Sequence, residues 1–68
     1  MTDIQTISPR EREVLRLIAY EYTTKEIAQQ LYLSPYTIDS HRKRMMERLQ
    51  VKNTAGLIRM GFQNGFLN

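Results

Sequence analysis

Cysteine is missing from this chain, histidine occurs once, and only three glycines and two prolines punctuate its 68 residues. Without cysteine there is no disulfide framework, no thiolate metal site and no cysteine nucleophile. One histidine does not make a zinc site, and metal-ligand spacing is absent throughout. There is no glycine-rich loop to cradle a phosphate, and no pair of titratable groups is placed for acid–base work, so the chain reads as a non-enzyme without cofactor or metal. No apolar run approaches the roughly 18 residues of a membrane span, and no basic-then-apolar signal segment opens the sequence, which makes the cytoplasm the expected compartment and a membrane no partner. The length suits about one small domain, taken as residues 1–68, that buries only about 60% of the surface its unfolded chain exposes.

Charge is the first positive signal. Residues 1–33 carry four Lys and Arg against five Asp and Glu, net −1, whereas residues 34–68 carry six against two, net +4. A basic half on a small, nearly neutral domain is the usual electrostatic footprint of nucleic-acid binding, and it gives a direction only.

Four helix starts are written in side chains that satisfy the free amides of a first turn. Ser8-Pro9-Arg10-Glu11 has an N-cap, a proline at the first helical position and the Glu of a capping box. Val14, Leu15, Ile18 and Ala19 follow at helical period, and Tyr22 with Thr23-Thr24 ends this segment. Thr23-Thr24-Lys25-Glu26 opens a second, short helix carrying Ile27, Ala28 and Leu31 on one face. Ser34-Pro35 repeats the cap-and-proline signal before Ile38, Met45 and Leu49, and Asn53 or Thr54 caps a last helix with Leu57, Ile58, Gly61 and Phe62. No segment alternates with period two over a useful length. The expected fold is all-α, with helices over about 9–21, 24–31, 35–49 and 54–64, a frayed lead-in at 1–6 and a frayed end at Leu67-Asn68.

The second and third helices, joined by three residues, have the layout of a helix-turn-helix. Steep packing requires a small residue where the backbones meet, and Ala28 stands there, gripped by Ile27, Leu31, Leu33 and Ile38. Any three-helix bundle could place Ala and Ile this way, so the angular pattern of the third helix matters more. At about 100° per residue from Ile38, Met45 and Leu49 fall within about 20° of it. Tyr36, Ser40, Lys43 and Glu47 lie between about 140° and 200°, with Asp39 near 100° and Arg44 near 240°. The helix therefore has a core face and a polar face of a kind that enters a major groove.

With Ser8-Pro9-Arg10-Glu11-Arg12-Glu13-Val14-Leu15, Lys25-Glu26-Ile27-Ala28, Leu33-Ser34-Pro35-Tyr36-Thr37-Ile38, His41 and Leu49-Gln50-Val51-Lys52-Asn53, the chain resembles the LuxR/GerE-type helix-turn-helix domain from about residue 8 to residue 62. The resemblance implies a four-helix bacterial transcription-regulator domain that binds promoter DNA as a dimer, its third helix in the major groove and its fourth often forming the dimer contact. Such domains commonly sit at the C-terminus of response regulators or quorum-sensing receptors, some stand alone, and RNA polymerase is a further candidate partner. The family pattern usually has Gly at the position of Glu21 and often at that of Tyr32, where a bulky residue in a left-handed conformation would be strained. Many members carry Lys or Arg at the position of Asp39.

Lys43 is the first choice for a base contact, since an ammonium donates to guanine O6 and N7. Ser40 is short enough for close approach, and Tyr36 offers a hydroxyl to a phosphate or a ring to a thymine methyl. Asp39 has two candidate partners, cytosine N4 and, in the favourable acid-first order, Lys43 four residues on. Arg44, Arg48 and Lys52 are read as phosphate contacts, with Lys25 at a helix start and with Ser34 and Thr37, which bind either phosphate or their own helix start. Arg42 lies toward the core, its stem packed and its head reaching the surface. His41 reads as a partly buried, hydrogen-bonded structural residue. Met60 and Phe62, beside the small Gly56 and Gly61, make a dimer face or an ordinary core contact. The reading that follows is sequence-specific duplex DNA binding. Its alternatives are an adaptor whose basic helix docks an acidic protein and a sigma-factor-like promoter-recognition region; salt-insensitive binding to a protein would favour the adaptor.

Overall fold

A computed structural model describes residues 7–67 as four helices, α1 (Pro9–Ala19), α2 (Thr24–Leu31), α3 (Pro35–Leu49) and α4 (Thr54–Gln63), with no strand among the described residues. The lead-in at 1–6 and Asn68 lie outside them. All four starts are capped from the residue just ahead. Ser8 and Thr23 close full capping boxes with Glu11 and Glu26, Ser34 accepts from Thr37 N–H at 3.1 Å, and Asn53 accepts from Gly56 N–H at 2.9 Å. Each such cap is worth about 1 kcal/mol.

The ends share one device. Glu21, Tyr32, Gln50 and Gly65 adopt left-handed backbone at φ 70°, 58°, 58° and 77°. The residue after each sends its N–H back five positions to a helix carbonyl: Tyr22 to Leu17, Leu33 to Ala28, Val51 to Met46, Phe66 to Gly61. These are the six-to-one bonds of a Schellman ending, which also wants an apolar residue next in sequence. Tyr22, Leu33, Val51 and Phe66 fill that place. The reversal at Glu21 is why α1 stops at Ala19 rather than at 21.

Val14, Leu15, Ile27, Ile38, Met45 and Leu57 are fully buried and draw a stripe from every helix into one core, with Ala28 sunk between α2 and α3. One expectation is corrected here. Leu67 is not frayed: it and Phe66 are buried, both N–H groups donate to the Gly61 carbonyl, and Arg12 lies 5.2 Å above the Phe66 ring. The small residues of α4 are filled from within the chain. A Cβ on Gly61 would stand 2.6 Å from Leu67 Cδ1, and one on Gly56 would stand 3.1 Å from Val51 Cβ.

Candidate nucleic-acid interface

The side chains that point α3 into the core leave its other face open. Tyr36 is 79% exposed, Asp39, Lys43, Arg44 and Glu47 are exposed, and Ser40 is half-buried between them. Tyr36, Asp39, Ser40, Arg42, Lys43 and Met46 line a shallow depression of about 600 Å³ on this helix. The four residues expected to reach bases are thus brought together. Among the described residues no ion pair occupies Lys25, Lys43, Arg44 or Lys52, all of which are exposed.

Other groups are placed differently. Arg48 donates to Glu11 Oε1 at 2.9 Å, its side chain 32% exposed against 4% for the carboxylate. Glu11 Oε1 also accepts from Ser8 N–H at 2.9 Å, so one oxygen closes the α1 cap and holds the last turn of α3. Arg48 is therefore tied into the fold by a buried carboxylate, which sets it apart from the exposed cations beside it. Sequence reasoning found Glu11 as a cap and missed this second role, because its partner stands 37 residues away. Ser34 serves its own helix start, and its hydroxyl also lies 3.0 Å from that of Thr37.

Asp39 does not pair with Lys43. Its Oδ1 accepts from the Thr24 hydroxyl at 3.4 Å, drawing the carboxylate to the start of α2. Arg42 reaches inward further than its angle suggested, donating to Thr54 at 2.7 Å and to Thr24 at 3.3 Å. The sequence offers Thr54 only as an alternative cap to Asn53 and gives Thr24 no partner, since a first-turn Thr carries no signal of a distant one. His41 is half-buried as expected, but its Nδ1 is buried without a hydrogen-bond partner, so the expected bond is not made at that atom. Along α3 the residue stands between Ile38 and Met45, both fully buried. On α4, Met60 packs partly against the core while Phe62 is 53% exposed over a groove shared with Arg12 and Arg16 of α1 and with Tyr20 just after it.

A short capped helix, a three-residue turn and a longer helix with one polar, open face define a helix-turn-helix protein. The family of bacterial regulatory proteins of the luxR type matches residues 5–61, and the chain belongs to it. It is 41% identical to the spore germination protein GerE of Bacillus subtilis (strain 168), covering 81% of this chain and 80% of GerE. It is 39% identical to the transcriptional regulatory protein MctR of Rhizobium johnstonii over 91% of its own length but only 29% of MctR. The chain thus spans less than a third of that relative. The solved structure of the transcription factor GerE superposes with a TM-score of 0.89 at 31% identity, covering 91% of this chain and 92% of the other. No helix among the described residues is long and apolar enough to cross a membrane.

Proposed function

We propose that this chain is the sequence-specific, duplex-DNA-binding part of a bacterial transcriptional regulator. The observation that carries the reading is the open face of α3, where Tyr36, Asp39, Ser40 and Lys43 surround one depression on the outward side of a helix-turn-helix. It is supported by the likeness to MctR, a transcriptional regulatory protein, and to GerE, a transcription factor. In this reading α3 lies in the major groove, and Lys43 with Ser40, Asp39 and Tyr36 selects bases. Arg44, Lys52 and Lys25 neutralise phosphates, Ser34 and Thr37 sit at the backbone near the start of α3, and two copies pair through Phe62 and Met60 of α4. RNA polymerase is a further partner, reached once the dimer is on its promoter.

Selection of bound duplexes from a random pool tests this directly, since symmetric half-sites reveal both specificity and pairing. Lys43→Ala should relax the preference at one or two base pairs. Arg44→Ala should weaken all duplexes alike and reduce the magnitude of the log–log salt slope by about 0.9. Equal effects of both changes on random and preferred DNA would sink this division of labour.

A further inference from the structure

Beneath the open face of α3 four polar residues form one chain of hydrogen bonds. Arg42 donates from Nη2 to Thr54 Oγ1 at 2.7 Å and from Nη1 to Thr24 Oγ1 at 3.3 Å, and the Thr24 hydroxyl donates to Asp39 Oδ1 at 3.4 Å. Thr24 and Thr54 are the first residues of α2 and α4. One guanidinium therefore reaches the starts of two other helices while sitting on α3. Its planar fork suits that span, and the single ammonium of a lysine does not. The Thr24 hydroxyl accepts from a cation and donates to an anion, an arrangement in which each bond polarises the next.

The consequence falls on Asp39. An exposed carboxylate beside a phosphate backbone is repelled and, left to itself, turns through its rotamers or pairs with Lys43. Here one oxygen is held toward α2 and the ion pair is not made. We propose that Arg42 and Thr24 are positioning residues for base selection. By holding Oδ1, they leave Asp39 Oδ2 directed as an acceptor toward an exocyclic amino group in the major groove, cytosine N4 or adenine N6. The proposal rests on the reading of α3 as the groove helix. It adds that two residues which touch no base decide how one base is read.

The test uses the full chain and its own preferred duplex, found by selection, and compares affinity for that duplex with affinity for one altered at a single base pair. Asp39→Ala should lower discrimination at one base pair about 5–10-fold, and the identity of that pair, C·G or A·T, tells cytosine from adenine. Thr24→Val and Arg42→Lys should lower it at the same base pair, while Thr24→Ser, which keeps the hydroxyl, should retain it. Because Thr24 acts through Asp39, the double variant Thr24→Val with Asp39→Ala should show the discrimination of Asp39→Ala alone. If Thr24→Val weakens every duplex equally and leaves the preference intact, or if the double variant shows the sum of two losses, the positioning role is overturned. A wild-type chain that prefers no sequence at all removes the groove reading itself, an outcome distinct from either of these.

Discussion

The carboxylate of Glu11 offers the sharpest test of how this small fold is held. Glu11 is 3% exposed, and one of its oxygens accepts from both Ser8 N–H and Arg48 at 2.9 Å. Glu11→Ala removes half of the α1 capping box, worth about 1 kcal/mol. It also removes the buried carboxylate that Arg48 meets at 2.9 Å. Removing one partner of a buried ion pair costs about 3–5 kcal/mol. Arg48 keeps contact with water through its 32% exposure, which cuts that part to about 2 kcal/mol. The sum is about 3 kcal/mol, a large share of the stability of a domain this small. At about 4–8 °C per kcal/mol, the thermal midpoint should fall by about 12–24 °C, followed by circular dichroism at helical wavelengths. Arg48→Met should cost at least as much, because the group it abandons is the more deeply buried one. The double variant Glu11→Ala with Arg48→Met should lose less than the sum of the two single losses, since neither charge of the pair remains. A midpoint lowered by less than about 3 °C in Glu11→Ala, or single-variant losses that add within about 0.5 kcal/mol, would refute the reasoning. The same pair bears on DNA binding. Measured below its midpoint, Arg48→Met should leave the salt slope unchanged, where Arg44→Ala lowers it.

Three further outcomes follow from local geometry. Tyr32 is 93% exposed at φ 58°, so Tyr32→Gly removes left-handed strain of about 1–2 kcal/mol against an entropy cost of about 0.5–1 kcal/mol. The midpoint should rise by about 2–8 °C in a thermal melt, and a fall would mean the tyrosine ring stabilises the turn. Gly61→Ala forces its Cβ to 2.6 Å from Leu67 Cδ1 and 3.1 Å from Leu15 Cδ2, which should destabilise by about 1–2 kcal/mol in a denaturant titration. Adding Leu67→Ala should relieve that crowding, and no relief would show that Leu15 is the obstacle. Phe62→Asp should abolish pairing on a two-half-site duplex, read by sedimentation, with the midpoint kept within about 3 °C because the ring is half in water; unchanged pairing would remove Phe62 from the dimer face.

What the sequence by itself determined is what acts over one or two helical turns. Ser8, Thr23, Ser34 and Asn53 announced the four starts because a cap needs only a partner three residues on. The stripe of Ile38, Met45 and Leu49 set which side of α3 is buried, and hence which side Tyr36, Asp39, Ser40 and Lys43 present. Tyr32 and Glu21 drew attention as misfits, whereas the third left-handed residue, Gln50, became visible only with the backbone. Its legible trace was the apolar residue after each turn, Val51 in this case. Tertiary structure alone decided the partners of the charges. Arg48 and Arg44 look alike in sequence, yet one meets a carboxylate from the first turn of α1, 37 residues away, and the other is exposed to solvent. Asp39 had Lys43 within reach on its own helix and was drawn instead to a threonine fifteen residues earlier. A cap is closed by its own turn of chain. The partner of a long, charged side chain is chosen by whichever helix packing brings near, and one-dimensional spacing does not hold that information.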